Sequence, residues 1–415
     1  MTMPSVSVVV VSRHRPEALK YCLTSLSRLI YPNYEIIVVT DPSGEAAIHD
    51  MGLTGRVRVV PFDIANISIA RNKGIEAAAG NVVAFIDDDA VAEPMWLHHL
   101  AAAFGDPEVS VAGGYVRGRN GISFQWTARS VDCTGTAKSL QVDETFNTVL
   151  TPPPDQAIKT EGTNMAVRRQ ILLDQGGFDP AYRFYLDETD LNMRLAISGH
   201  KTAIVPLAQV HHAYAPSTRR RRNRSVTDLY DIGASSMIFL RFHCPEALHA
   251  ARIEAVRQEQ RKRLLIQMRD GLLEPREVRW AIKRLEQGLS DAAEMALQPL
   301  LPLRSAQHPF LRFESVADGG HVELAGRIWQ KGKLCRQAAQ LAEQGKTVSV
   351  FTFSHTGLFH SVRYHKPGFW LQRGGLFGRS DRGQKLFRFG LFRKRLQEEV
   401  LRIARIRWDC RKSKQ

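Results

Sequence analysis

Short apolar runs alternate with stretches of helical spacing along the first part of the chain: Ser5–Ser12 (SVSVVVVS), Tyr34–Thr40 (YEIIVVT), Val57–Pro61 and Asn81–Ile86 (NVVAFI). The first, second and last run on in Val and Ile without the alternation of a half-solvated strand, so each reads as a strand buried on both faces. Between them, Pro16 opens a helix with Pro at its favoured first position. Ser68–Ala79 reads as a helix that Gly80 closes as its C-terminal cap. Asp41-Pro42-Ser43-Gly44 reads as a turn. Pro94–Phe104 gives a further helix and Val109–Gly113 a further strand. Strand and helix in alternation with short links predict an α/β fold. Its mostly parallel central sheet is flanked by helices, and ligands sit at the carboxyl ends of the strands.

Asp87-Asp88-Asp89 stands at such an end. Carboxylates clustered beside a core strand are costly unless neutralised. A divalent cation does this, taking one or two carboxylates and completing its shell with phosphate oxygens. Alternate residues point the same way, which lets Asp87 and Asp89 flank one ion while Asp88 faces aside; a solvated acidic cap is the competing reading. Arg71 and Asn72, in Ile69–Gly74 (IARNKG), precede that strand and suit either a nucleotide contact or an ordinary first helical turn. Asp187-Glu188-Thr189-Asp190 opens a predicted helix, where acidic residues are favoured. Carboxylates so close together raise the pKa of at least one, as a general base requires. His211-His212 follows a predicted strand at Thr202–Val205, and imidazole is a common metal ligand.

In this order and spacing these elements resemble family 2 glycosyltransferases. The resemblance is carried by Ala65–Gly74 (ANISIARNKG), Phe85–Asp89 (FIDDD), Gly162–Ala166 (GTNMA) with Arg168 and Arg169, Gly176–Asp179 (GGFD), Asp187–Leu191 (DETDL) with Arg194 and Gly199, and Pro206–His212 (PLAQVHH), and it covers about residues 4–215. It implies a GT-A fold and an inverting glycosyltransferase of the hexosyltransferase type. A sugar passes from a nucleotide-diphosphate donor, UDP or dTDP, to a hydroxyl of a glycan or lipid-linked acceptor, with Mn2+ or Mg2+ as cofactor. On the same likeness Asp87, Asp89 and His212 match metal ligands, with His211 as the alternative imidazole. Arg13, Asp41, Arg71, Asn72, Asp87 and Asp88 match nucleotide-sugar contacts. Gly162, Thr163, Asn164 and Asp190 match the acceptor side, and Glu188, or Asp187 beside it, matches the catalytic base. The usual Glu-Asp order is inverted here to Asp-Glu.

Charge divides the chain. Through Ala215 there are 18 Lys and Arg against 23 Asp and Glu, whereas the remainder holds 39 against 19. The acidic part suits a cation, and the basic part suits phosphates. We divide the chain into a catalytic domain at 1–225, a helical region at 226–305 and a basic α/β segment at 306–415. The Arg219–Arg224 run reads as a loop over the donor diphosphate or as a solvated linker. From His321 onward, Ala338–Thr352 (AAQLAEQGKTVSVFT), Gly368-Phe369-Trp370 and Leu396–Asp409 weakly resemble the N-terminal part of a GT-B glycosyltransferase, which implies a partial module with a scaffold or acceptor-binding role.

The basic helices suit the surface of an anionic membrane. Nucleic acid is disfavoured, because no DNA- or RNA-binding motif is present. With no leader pattern and no apolar run long enough to span a bilayer, the expected location is the cytoplasm, with peripheral contact at the inner face of the membrane. Cys22, Cys133, Cys244, Cys335 and Cys410 are scattered and odd in number, as for reduced thiols. Two other readings compete. One is a non-catalytic nucleotide- or glycan-binding protein with a degenerate site. The other is a sugar-phosphate nucleotidyltransferase, whose Gly-rich loop after the first strand is missing from Ser12–Pro16 (SRHRP).

Overall fold

The computed structural model describes residues 3–212, 221 and 223–408. The first part runs β1 (Val6–Ser12), α1 (Pro16–Leu26), β2 (Tyr34–Thr40), α2 (Pro42–Asp50), β3 (Arg58–Pro61), α3 (Ile67–Glu76), β4 (Val82–Asp87), β5 (Ala90–Ala92), α4 (Trp96–Ala102) and β6 (Val109–Arg117). Small strands follow: β7 (Phe124–Trp126), β8 (Arg129–Asp132), β9 (Ala137–Ser139), β10 (Thr148–Leu150) and β11 (Gln156–Lys159). Then come β12 (Met165–Arg168), α5 (Arg169–Asp174), α6 (Asp187–Ile197) and β13 (Lys201–His212).

The main sheet has the order β10-β13-β6-β12-β4-β1-β2-β3, with β5 on β13 and β7 on β6. Its centre, β3-β2-β1-β4, is parallel throughout. β12 enters antiparallel between β4 and β6, and β13 then lies parallel to β6. Successive side chains of β1 feed two cores. Val6, Val8 and Val10 join Leu19 and Leu23 of α1 and Trp96 of α4, while Val9 joins Ile75, Phe85 and Phe178 on the other face. Burial on both faces is what a continuous valine run requires.

Asp41-Pro42-Ser43-Gly44 is not a free turn but the start of α2. The Asp41 carboxylate accepts from Ser43 N at 2.8 Å as an N-cap, and Pro42 occupies the first turn. Gly44 is required there, since a Cβ would lie 1.9 Å from Thr40 Oγ1.

The helical region consists of α7 (Tyr230–His243), α8 (His249–Arg269) and α9 (Pro275–Glu294). α7 and α9 meet closely enough that a Cβ on Gly288 would lie 2.1 Å from Tyr230 O. The chain then returns across the first sheet: Leu303 N donates to Leu173 O, and Phe313 is buried against Tyr34. The last part holds β14 (His321–Arg327), α10 (Lys331–Glu343), β15 (Thr347–Ser354), β16 (Ser361–His365), β17 (Phe369–Gly375) and α11 (Phe392–Arg407). Its sheet has the order β14-β15-β17-β16, with only the β16–β17 pairing antiparallel. No helix among the described residues is long and apolar enough to cross a membrane.

Candidate active site

Parallel pairing sets Val11 beside Asp87, and Ser12 beside Thr40. The carboxyl ends of β1, β2 and β4 therefore lie in one row, and the segments that follow them converge. β13 closes this row from the far side of the sheet, because its end pairs antiparallel with β5 and sets His212 opposite Ala90. His212 Nε2 lies 3.2 Å from Asp89 Oδ1 and 3.8 Å from Asp87 Oδ2. One ligand atom from each of Asp87, Asp89 and His212 falls within 4.8 Å of the others. Two carboxylates and an imidazole form a donor set that fits a divalent cation, with positions left for phosphate oxygens. The other ring nitrogen of His212 lies 3.4 Å from Gln125 Oε1, an outer contact of the kind that orients a ligating imidazole.

His211 does not join this set. Neighbouring strand residues point to opposite faces, and His211 Nε2 meets Glu93 Oε1 at 2.8 Å on the other side, its ring 4.6 Å from that of Trp370. Asp88 likewise turns inward. It is fully buried, accepts from Ser12 Oγ at 2.8 Å and pairs with Arg15 Nη2 at 2.7 Å. Burial raises its pKa to about 7 against the attraction of Arg15. An inward carboxylate so engaged has no face for a nucleotide. Arg15 also lies 3.8 Å from Asp89, so it serves as the cation inside the triplet.

The triplet is tied to the DETDL segment by Arg71. From α3 its guanidinium pairs with Asp187 and lies 3.3 Å from Asp87 Oδ1. Gly162 makes room for it, since a Cβ there would lie 2.4 Å from Arg71 Nη2. Tyr185 and Leu186, with φ of 74° and 64°, turn the chain through left-handed conformations into α6. Non-glycine residues in that region are strained, a state typical of functional sites. Asp187 and Glu188 thus head the helix side by side. Burial lifts Asp187 to about 7 although Arg71 opposes it, with Glu188 adding to the rise. Burial also pushes Glu188 up, but Lys159 at 3.1 Å and then Arg71 outweigh it and hold the carboxylate at about 2. The Glu188 side chain is 17% exposed against 4% for Asp187, so Glu188 is the ionised carboxylate open to a ligand.

Several other residues singled out from sequence are spent elsewhere. Asn72 donates to Phe178 O at 2.7 Å and accepts from Phe178 N at 2.8 Å, clamping the GGFD turn. Asn164 is fully buried, accepting from Trp96 Nε1 and donating to Tyr115 O and Ala208 O, so it faces the core rather than an acceptor. Asp190 is buried against Arg194 and His243, each at 2.8 Å, and does not face an acceptor either. Thr163 is buried. Asp41 accepts from His14 N and Ser43 N, and Arg13 reaches Asp63 at 2.7 Å on the exposed rim. Arg219, Arg220 and Arg222 of the basic run lie outside the described residues; Arg221 pairs with Glu277 at 2.5 Å.

Sequence reading missed Arg15, Lys159, Glu161 and Arg129. Lys159 also donates to Thr189 Oγ1 at 2.7 Å, and Glu161 pairs with Arg129. The clue to Lys159 was weak: a lone cation just ahead of the GTNMA segment. Arg15 lay in plain view directly after the first strand.

Residues 7–176 match the family model described as Glycosyl transferase family 2. EpsH of Bacillus subtilis (strain 168), whose name assigns it provisionally to the glycosyltransferases, is 32% identical over 32% of this chain and 38% of its own length. Glucosyl-dolichyl phosphate glucuronosyltransferase of Haloferax volcanii is 28% identical over 42% of this chain and 55% of its own. The chain thus spans between about a third and about half of the length of these relatives. The crystal structure of GalNAc-T7 with UDP, GalNAc and Mn2+ aligns with 58% of this chain and 48% of its own at 18% identity and a TM-score of 0.45, too slight a likeness to carry an assignment.

Proposed function

We propose that this chain, whose residues 7–176 match the family 2 glycosyltransferase model, transfers a sugar from a nucleotide-diphosphate donor to an acceptor hydroxyl by a single inverting displacement. The observation that carries this reading is the bridge made by Arg71, which holds the Asp87 end of the cation set and the Asp187-Glu188 pair in one assembly. Asp87, Asp89 and His212 would hold the divalent cation, Mn2+ or Mg2+. When bound, that cation supplies positive charge where the diphosphate departs.

The rest falls to side chains of the chain itself. Glu188, ionised and partly open, accepts the proton of the acceptor hydroxyl as its oxygen bonds to the anomeric carbon and the bond to the diphosphate oxygen breaks. Asp187 carries the raised pKa that the sequence leads one to expect of a base, but it is the lesser candidate because its carboxylate is buried and closed on Arg71, whereas Glu188 is the carboxylate an acceptor can reach. Lys159 and Arg71 keep Glu188 charged and fix its direction. The donor is a UDP or dTDP sugar, its diphosphate against Asp87, Asp89 and His212. The acceptor is a glycan or a lipid-linked sugar, the latter in keeping with the name of the archaeal relative. Residues 1–225 form the catalytic part, 226–305 the helical region and 306–415 a scaffold against it.

Calorimetric titration of UDP, dTDP and GDP, with and without Mn2+, tests this reading. Binding of one nucleotide that requires the ion and is lost in Asp89→Ala supports it. If no nucleotide binds in either condition, the catalytic reading falls and a degenerate binding site takes its place.

A further inference from the structure

The C-terminal module carries a surface that the sugar-transfer chemistry does not use. The chain from Lys385 to Lys394 (KLFRFGLFRK) has apolar and basic side chains and not one acidic residue. Most of it is an irregular loop between β17 and α11. Its apolar residues stand in solvent: Phe389 is 90% exposed, Leu391 80% and Leu386 63%. Leaving this much contiguous apolar surface in water is unfavourable, and such patches mark binding surfaces. The patch extends past the loop. Phe387 packs beside Gly357, next to the exposed Leu358 and Phe359. Those two also line a groove of about 620 Å3 at the carboxyl ends of β15 and β17, shared with the exposed Arg363 and Arg373.

The geometry points to an anionic phospholipid surface as the partner of this patch: Leu386, Phe389 and Leu391 enter the headgroup boundary while Lys385, Arg393, Lys394, Arg363 and Arg373 meet lipid phosphates. Charge complementarity selects this occupant, since the part of the chain beyond Ala215 holds 39 basic against 19 acidic residues and Lys385–Lys394 carries basic side chains with no acidic one. Apolar tips interleaved with Lys and Arg are the arrangement that binds in the plane of a bilayer interface. Single-stranded nucleic acid would also meet basic and aromatic groups, but it needs ring faces for stacking. Here leucines occupy half of the exposed tips and cannot stack.

Co-sedimentation of the full chain with vesicles tests the assignment. Vesicles of phosphatidylcholine mixed with phosphatidylglycerol should carry the protein down at physiological ionic strength, and vesicles of phosphatidylcholine alone should not. Phe389→Ser with Leu391→Ser alters only exposed side chains and should weaken vesicle binding by roughly tenfold or more, with an unchanged thermal unfolding curve. Lys385→Glu with Lys394→Glu should do the same through charge. Failure of the wild-type chain to bind the anionic vesicles would overturn the proposal, as would binding that both double variants retain. Binding of an oligouridine probe, lost in the Phe389 and Leu391 variant while vesicle binding persists, would overturn it in favour of nucleic acid.

Discussion

Arg407, at the end of α11, donates from Nε to the Glu93 carboxylate at 2.8 Å, across 314 residues of chain, and both side chains are buried. Glu93 receives His211 on the same carboxylate. The last helix therefore reaches the strand pair, β5 and β13, that presents His212. Removing one member of a buried pair leaves the other charge uncompensated. Arg407→Ala should lower unfolding free energy by about 3 to 5 kcal/mol, measured by denaturant titration.

The same pair gives a pH dependence. Burial pushes Glu93 up, but Arg407 and His211 outweigh it and hold the carboxyl at about 2, below its ordinary value. A depressed carboxyl contributes stability that is present above the unfolded pKa and is lost as pH falls through the folded one. That window runs from about 4.5 down to about 2 and is worth roughly 3 kcal/mol. Glu93→Gln should be less stable at neutral pH and should show a flatter stability profile across this window, read by unfolding at a series of pH values.

His211 and His212 should behave oppositely on substitution. His212→Ala should weaken Mn2+ binding by roughly 100-fold or more, since loss of an outer-shell partner alone can cost about that much. His211→Ala should leave Mn2+ affinity within a few fold and lower the unfolding midpoint instead. Calorimetry and thermal melting of the two variants separate these outcomes.

Gly162→Ala places a methyl group against the Arg71 guanidinium and should displace it from Asp87 and Asp187. Misplacement of a positioning group by about 1 Å costs on the order of 100-fold. The expected result is a fall of that size in kcat/KM with an unchanged circular dichroism spectrum.

Lys159→Met removes the first of the two cations that lower the Glu188 pKa, while the burial that raises it remains. The acid limb of the kcat profile should therefore move to higher pH. Glu188→Gln should cost about 100- to 10,000-fold in kcat at all pH values. A profile unmoved by Lys159→Met would place the base elsewhere.

What could be read from the sequence follows from how local each signal is. The valine runs declared their strands because burial on both faces leaves a continuous apolar string, and the parallel centre followed from the helices between them. The antiparallel insertion of β12 was not legible, since nothing in four residues, MAVR, declares direction. Of the site, the acidic and imidazole residues stood out by type. Which of them face one another did not. The opposed directions of His211 and His212 need the β5 pairing, and the fixed partners of Asn164 and Asp190 lie up to 68 residues away. Asp41 misled as a turn because an N-cap followed by Pro and a β-turn share the same residue types.

β13 uses both of its faces at once, one imidazole toward Asp87 and Asp89 and the next toward Trp370 and Glu93. The C-terminal module is therefore not interchangeable cargo. A chimera that exchanged it for another domain would have to supply a cation in the place of Arg407 and a flat ring in the place of Trp370. Otherwise the graft would leave the buried Glu93 carboxylate stranded against His211, the residue beside His212. The two halves of this chain are in that sense one inheritance, to be recombined together or not at all.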